Sequence, residues 1–103
     1  MEKRAHQYKL TLEYLKDAKG EAVSETPIEL LFENHDNIFS IIERQKDKNL
    51  FGNKQQATEF TIGLKLFSEV MLKNRKDPLF EELGPAFSVF MKKLKGIPQS
   101  ESE

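Results

Sequence analysis

His6-Gln7-Tyr8-Lys9-Leu10-Thr11-Leu12-Glu13-Tyr14-Leu15-Lys16 alternates apolar and polar side chains through its middle. Tyr8, Leu10, Leu12 and Tyr14 fall on one side and Lys9, Thr11 and Glu13 on the other, the period-two signature of a half-buried strand. Residues 28–33 repeat it, with Ile28, Leu30 and Phe32 on one face and Glu29, Leu31 and Glu33 on the other. Between them, Asp17-Ala18-Lys19-Gly20 has the composition of a turn, where glycine accepts positive φ. The two strands are predicted to form an antiparallel hairpin.

A tight turn over 17–20 pairs Lys16 with Glu21 and places the two apolar faces on opposite sides of the sheet. Only a register in which paired residues have an even sum aligns the faces, such as Leu10 with Phe32. A bulge or looped-out segment around Ser24–Pro27 is therefore predicted, and Pro27 suits it because proline donates nothing to a ladder.

Helical spacing follows. Ile38, Phe39, Ile41 and Ile42 recur at helical intervals ahead of a charged run to Lys48, with Asn34 or Asp36 as the expected cap. Residues 49–52 read as a loop. Asn53 and Gln56 have the spacing of a capping box opening the longest helix, to about Arg75. Ala57, Phe60, Gly63, Leu64, Phe67, Val70, Met71 and Asn74 share one wide stripe, and Gly63 is expected to admit a close neighbour. Ile62, Leu66 and Leu72 are surplus apolar surface and the candidate interaction surface. Asp77-Pro78 ends that helix and caps a short one, which Gly84-Pro85 interrupts. Pro85 then opens a last helix bearing Phe87, Phe90, Met91 and Leu94, stopped by Gly96.

The predicted architecture is α+β, a two-stranded antiparallel β-hairpin packed on three to four α-helices in the order ββααα(α). A hairpin alone is marginal in water, so its Tyr8/Leu10/Leu12/Ile28/Leu30/Phe32 face is expected to lie under the helices. One domain spans 6–96, between a flexible segment 1–5 and a disordered acidic tail 97–103.

Composition excludes much. The 103 residues are 38% hydrophobic, enough for one domain core. The longest apolar runs are three residues, as in Leu30-Leu31-Phe32, too short to span a bilayer. Met1-Glu2-Lys3-Arg4-Ala5-His6 lacks the apolar stretch of a secretory signal. The absence of cysteine removes disulfides, thiolate chemistry and Cys-based zinc sites, and fits a reducing, cytoplasmic setting. A net charge of -1 argues against nucleic-acid binding driven by charge.

Several stretches resemble a small family of uncharacterised bacterial proteins, a domain of unknown function. They are Tyr8-Lys-Leu-Thr-Leu-Glu13, Asp17-Ala-Lys-Gly20, Glu33-Asn-His-Asp36, Gly63-Leu-Lys-Leu-Phe67 and Glu69-Val-Met-Leu-Lys-Asn-Arg-Lys76, followed by Pro78-Leu-Phe80. They cover about residues 6–95. The resemblance implies a hairpin-plus-helices bacterial protein with no assigned activity, and it transfers no catalytic or binding residue.

Chemistry-bearing motifs are scarce. The five glycines are isolated, so no Gly-rich loop cradles a phosphate. With two histidines and no cysteine, a catalytic triad or closed zinc site would need unusual ligands. His6, His35 and Asp36 are the one metal candidate: pairing Leu10 with Phe32 sets His6 opposite Asp36. The simpler reading, in which Asp36 caps a helix, His35 is solvated and His6 frays, is preferred because caps are common and His₂-carboxylate sites rare. Lys73, Arg75, Lys76, Lys92, Lys93 and Lys95 form two basic runs at expected helix ends, where cations complement exposed carbonyls. The sequence assigns no biochemical function. Its best reading is a small non-catalytic protein-interaction or regulatory module without a cofactor, whose partner is unknown and which can form a homodimer. The alternatives are a nucleic-acid-binding accessory protein using the two basic runs, and a small ligand carrier or enzyme with a pocket between sheet and helices.

Overall fold

In a computed structural model, which describes residues 5–98, Asp17 builds the hairpin turn with its own side chain. Its Oδ1 accepts hydrogen bonds from the N–H groups of Lys19 and Glu21, both at 2.9 Å. The Gly20 N–H donates to the Asp17 carbonyl, and Gly20 takes a φ of 86°, which only glycine adopts without strain. Asp17 N–H then donates to Glu21, and Lys16 pairs with Ala22 rather than with Glu21. The left-handed glycine adds one residue to the loop and so reverses the parity that a tight turn imposes.

The ladder proper joins β1 (His6–Leu12) to β2 (Ile28–Asn34), with Tyr8 opposite Phe32, Leu10 opposite Leu30 and Leu12 opposite Ile28. The register is even, as the matching faces require, but Leu10 does not pair with Phe32. Residues 23–27, which include Pro27, stand against residues 13–15, so the looped-out segment lies where it is predicted. The Tyr8 and Phe32 rings stack at 5.3 Å, and the Tyr8 hydroxyl donates to the Asp36 carbonyl at 2.9 Å. Burial along this face is graded. Tyr8, Leu10 and Phe32 are half-buried, whereas Leu12 (63%), Ile28 (62%) and Leu30 (45%) are exposed.

The chain divides after Asp36 into two compact units, the hairpin and a helical unit. Asn37, not Asn34 or Asp36, caps α1 (Ile38–Asp47): its Oδ1 accepts from the Ser40 N–H at 3.2 Å. Asn34 is buried and its Oδ1 is taken by the Asp36 N–H. The expected loop after α1 contains a short 3₁₀ turn, Leu50–Gly52, with Asn49 and Phe51 both at positive φ. Asn53 caps α2 (Lys54–Lys73) as read, accepting from the Gln56 N–H at 3.0 Å.

On α2 the buried line runs through Ala57, Thr61 and Met71, with half-buried Leu64 between them. Thr61 is wholly buried, and its hydroxyl donates to the Ala57 carbonyl at 2.8 Å. Phe67 (40%) and Val70 (55%) remain exposed, so the buried line lies one step round the helix from the centre of the predicted stripe. Gly63 is exposed and a Cβ there would meet nothing within 4 Å, so it admits no close neighbour.

Asp77 caps a 3₁₀ turn, Pro78–Phe80, rather than a fourth α-helix. The last helix, α3 (Leu83–Gly96), starts ahead of Pro85 and runs through the Gly84-Pro85 pair. Two local facts allow this: a first-turn residue needs no intrahelical N–H bond, and Gly84 has no Cβ to clash with the proline ring behind it. Leu50, Ala57 and Leu94 form the helical core, with Phe60, Leu64 and Met91 packed against it. Lys48 ties the end of α1 to the end of α3 by donating from Nζ to the Leu94 carbonyl at 2.9 Å.

Phenylalanine rings join α2 to α3. Phe51 meets Phe60, Phe60 meets Phe90, Phe90 meets Phe87, Phe87 meets Phe67 and Phe67 meets Phe80, at centroid separations of 5.3, 6.1, 5.8, 5.9 and 6.1 Å. Ring numbers fall along α2 as they rise along α3, so the two helices are antiparallel.

Candidate functional site

A groove of about 380 Å³ opens beside this ladder, between α2, the Pro78–Phe80 turn and the first half of α3. Met71, Leu72, Phe80, Phe87 and Met91 supply its apolar lining, and Lys65 and Arg75 its two cations; no carboxylate lines it. The groove exists because small residues stand where large ones would fill it. Ser68 on α2, and Gly84 and Ser88 one turn apart on α3, leave the space between the helices unfilled. In the sequence Met71 falls on the wide stripe of α2, and Phe87 and Met91 fall on one last helix. The signal that would have marked the groove is the recurrence of small residues on the side of each helix that also carries Met71 and Met91.

The metal candidate comes apart. His6 pairs across the ladder with Asn34, not Asp36, because the register is shifted by two from the one that aligned them. Asp36 contributes its backbone carbonyl to Tyr8 and its N–H to Asn34. His6 approaches the Tyr8 ring at 6.3 Å, and His35 is exposed. Among the described residues no group of three His, Cys, Asp or Glu side chains is placed to hold a metal ion.

The basic residues also separate. Lys73, Arg75 and Lys76 lie at the C-terminal end of α2, beside the start of α3, whereas Lys92, Lys93 and Lys95 lie in the last turns of α3, near Leu50 and Ala57. The antiparallel helices carry the two runs to opposite ends of the helical unit, roughly 15 Å apart over ten helical residues. They form no common patch. Of the surplus apolar residues, Leu72 is exposed at 57%, while Ile62 and Leu66 are half-buried and offer less surface than their spacing suggests.

Residues 6–96 match DUF3861, a domain of unknown function with a solved structure. The chain belongs to this family. A crystal structure of a protein of unknown function from Pectobacterium atrosepticum is 33% identical and superposes with a TM-score of 0.75, covering 89% of this chain and 98% of that one. No curated protein matches. DUF3861 is thus the uncharacterised family that the sequence resembles, and neither match carries an activity or a residue role. No helix among the described residues is long and apolar enough to cross a membrane.

Proposed function

We propose that this protein is a non-catalytic interaction module that assembles with a second copy of itself through the outer edge of β1. One observation carries the reading: the sheet has only two strands among the described residues, so β1 and β2 each present an outer edge, and Leu12, Leu15, Ile28 and Leu31 beside them are exposed. Non-catalytic rests on the sequence, which has no cysteine and no phosphate loop, and the same absence of cysteine supports a cytoplasmic setting.

Charge favours β1 over β2. A two-fold antiparallel pairing keeps the apolar faces together when a residue of that face sits on the axis. Centred on Leu10, β1 sets Tyr8 against Leu12 of the second copy and Lys9 against Thr11, with both Glu13 and Lys9 of that copy diagonal to Lys9. No like charges stand directly opposite one another. On β2, Glu29 and Glu33 stand either side of Leu31, and pairing centred there opposes them twice. Centred on Leu30, β2 brings Pro27, which has no N–H, into the ladder.

Sedimentation equilibrium at about 100 µM tests assembly. The expected mass is twice the 12.0 kDa of the chain, and a single 12.0 kDa species overturns the reading. The cysteine-free sequence makes cross-linking clean. A Leu10→Cys variant is expected to form an interchain disulfide on mild oxidation, because directly paired strand residues lie within disulfide reach. Cross-linking of Leu31→Cys instead places the contact on β2.

A further inference from the structure

The groove between α2 and α3 lies wholly within the helical unit and has no part in the pairing of strand edges. We propose that it is a binding site for an anionic amphiphile of the medium-chain carboxylate class, with the chain along Met71, Phe80, Phe87 and Met91 and the head group on Arg75. Three features carry this. At about 380 Å³ the groove falls in the size range of small-molecule sites, which are mainly apolar with a few fixed polar groups. Its two charged lining residues are both cations, and Arg75, just past the end of α2, presents a planar donor fork suited to a carboxylate. Two of the chain's three methionines line it, and unbranched thioether side chains repack around flexible alkyl chains.

A polar nucleotide or sugar would leave this lining unused, and a cationic amphiphile would meet charge of its own sign. Ser88 is exposed on α3 and lines the groove, so a larger side chain there fills the site without entering the Leu50/Ala57/Leu94 core.

The test is titration of the full-length protein with dodecanoate, below its micelle concentration, against protein labelled with ¹³C at the methionine methyls. Dodecanol and dodecyltrimethylammonium serve as neutral and cationic probes of equal chain length. Expected are saturable shifts of the Met71 and Met91 methyls with dodecanoate, while the Met1 methyl stays still. Dodecanol should bind more weakly and the cation not at all. Arg75→Gln should weaken dodecanoate about tenfold and leave dodecanol unchanged, and Ser88→Leu should weaken both. Equal binding of all three probes, shifts at Met1 alongside the other two methyls, no saturable shift, or an Arg75→Gln variant that loses dodecanol as well would each overturn the proposal. Far-UV circular dichroism of each variant confirms that it is folded.

Discussion

Asp17 accepts two backbone N–H bonds through one carboxylate oxygen and fixes the loop in which Gly20 turns left-handed. Asp17→Ala is expected to cost the hairpin about 1 kcal/mol. The loss should appear as faster amide exchange at Val23, whose N–H donates to Leu15 across the hairpin; unchanged exchange there would show that Gly20 holds the turn alone. This residue was legible, since an Asp four places ahead of a loop-closing residue is a side-chain-built turn. Gln45 was not. It sits in the charged run after Ile42, yet it is buried and its Oε1 has no hydrogen-bond partner among the described residues. An unmet buried acceptor costs about 1–3 kcal/mol, so Gln45→Met is expected to raise the urea midpoint by about 1 kcal/mol of stability at constant m-value. A lower midpoint would mean that the amide holds a partner. Helical spacing from Ile38, Ile41 and Ile42 puts Gln45 on their face, but an amide inside a charged run reads as solvent-facing.

The boundaries at Asn53 and Asp77 were legible, whereas the cap of α1 was sought at Asn34 or Asp36 and is Asn37. Asn53 and Asp77 accept the bonds that their spacing implies. Gly84-Pro85 misled because a Gly-Pro pair breaks a helix in its interior but is harmless in its first turn, and sequence alone does not say which turn it occupies. The stripe on α2 was readable to within one step of rotation, and that step changes the energetics. Phe67 touches Phe80 and Phe87 but is 40% exposed, so Phe67→Ala should cost about 1–2 kcal/mol in urea unfolding rather than the 3–5 kcal/mol of a fully buried ring. The Lys48 bond to the Leu94 carbonyl spans 46 residues and no periodicity announces it. Lys48→Met is expected to cost about 1–2 kcal/mol, read in thermal unfolding; an unchanged Tm would show that the helix end finds water instead.

For the molecule as a whole, element order and hairpin parity were legible because each depends on short-range chemistry: turn residues, caps and periodicity. The groove was not, because it depends on which faces of α2 and α3 the phenylalanine ladder holds apart, a long-range property of six rings contributed by four segments of chain. That ladder has an optical consequence. The chain has no tryptophan, and both of its tyrosines, Tyr8 and Tyr14, fall in the first compact unit, whereas all six ladder phenylalanines fall in the second. Tyrosine emission therefore reports the hairpin, and phenylalanine fine structure in near-UV dichroism reports mainly the helices, since of the eight phenylalanines only Phe32 lies in the first unit. In a thermal scan the tyrosine signal is expected to change first, since the hairpin has the smaller buried core. On dilution, the same emission becomes a direct readout of strand-edge pairing at Tyr8, to which the helical rings are blind.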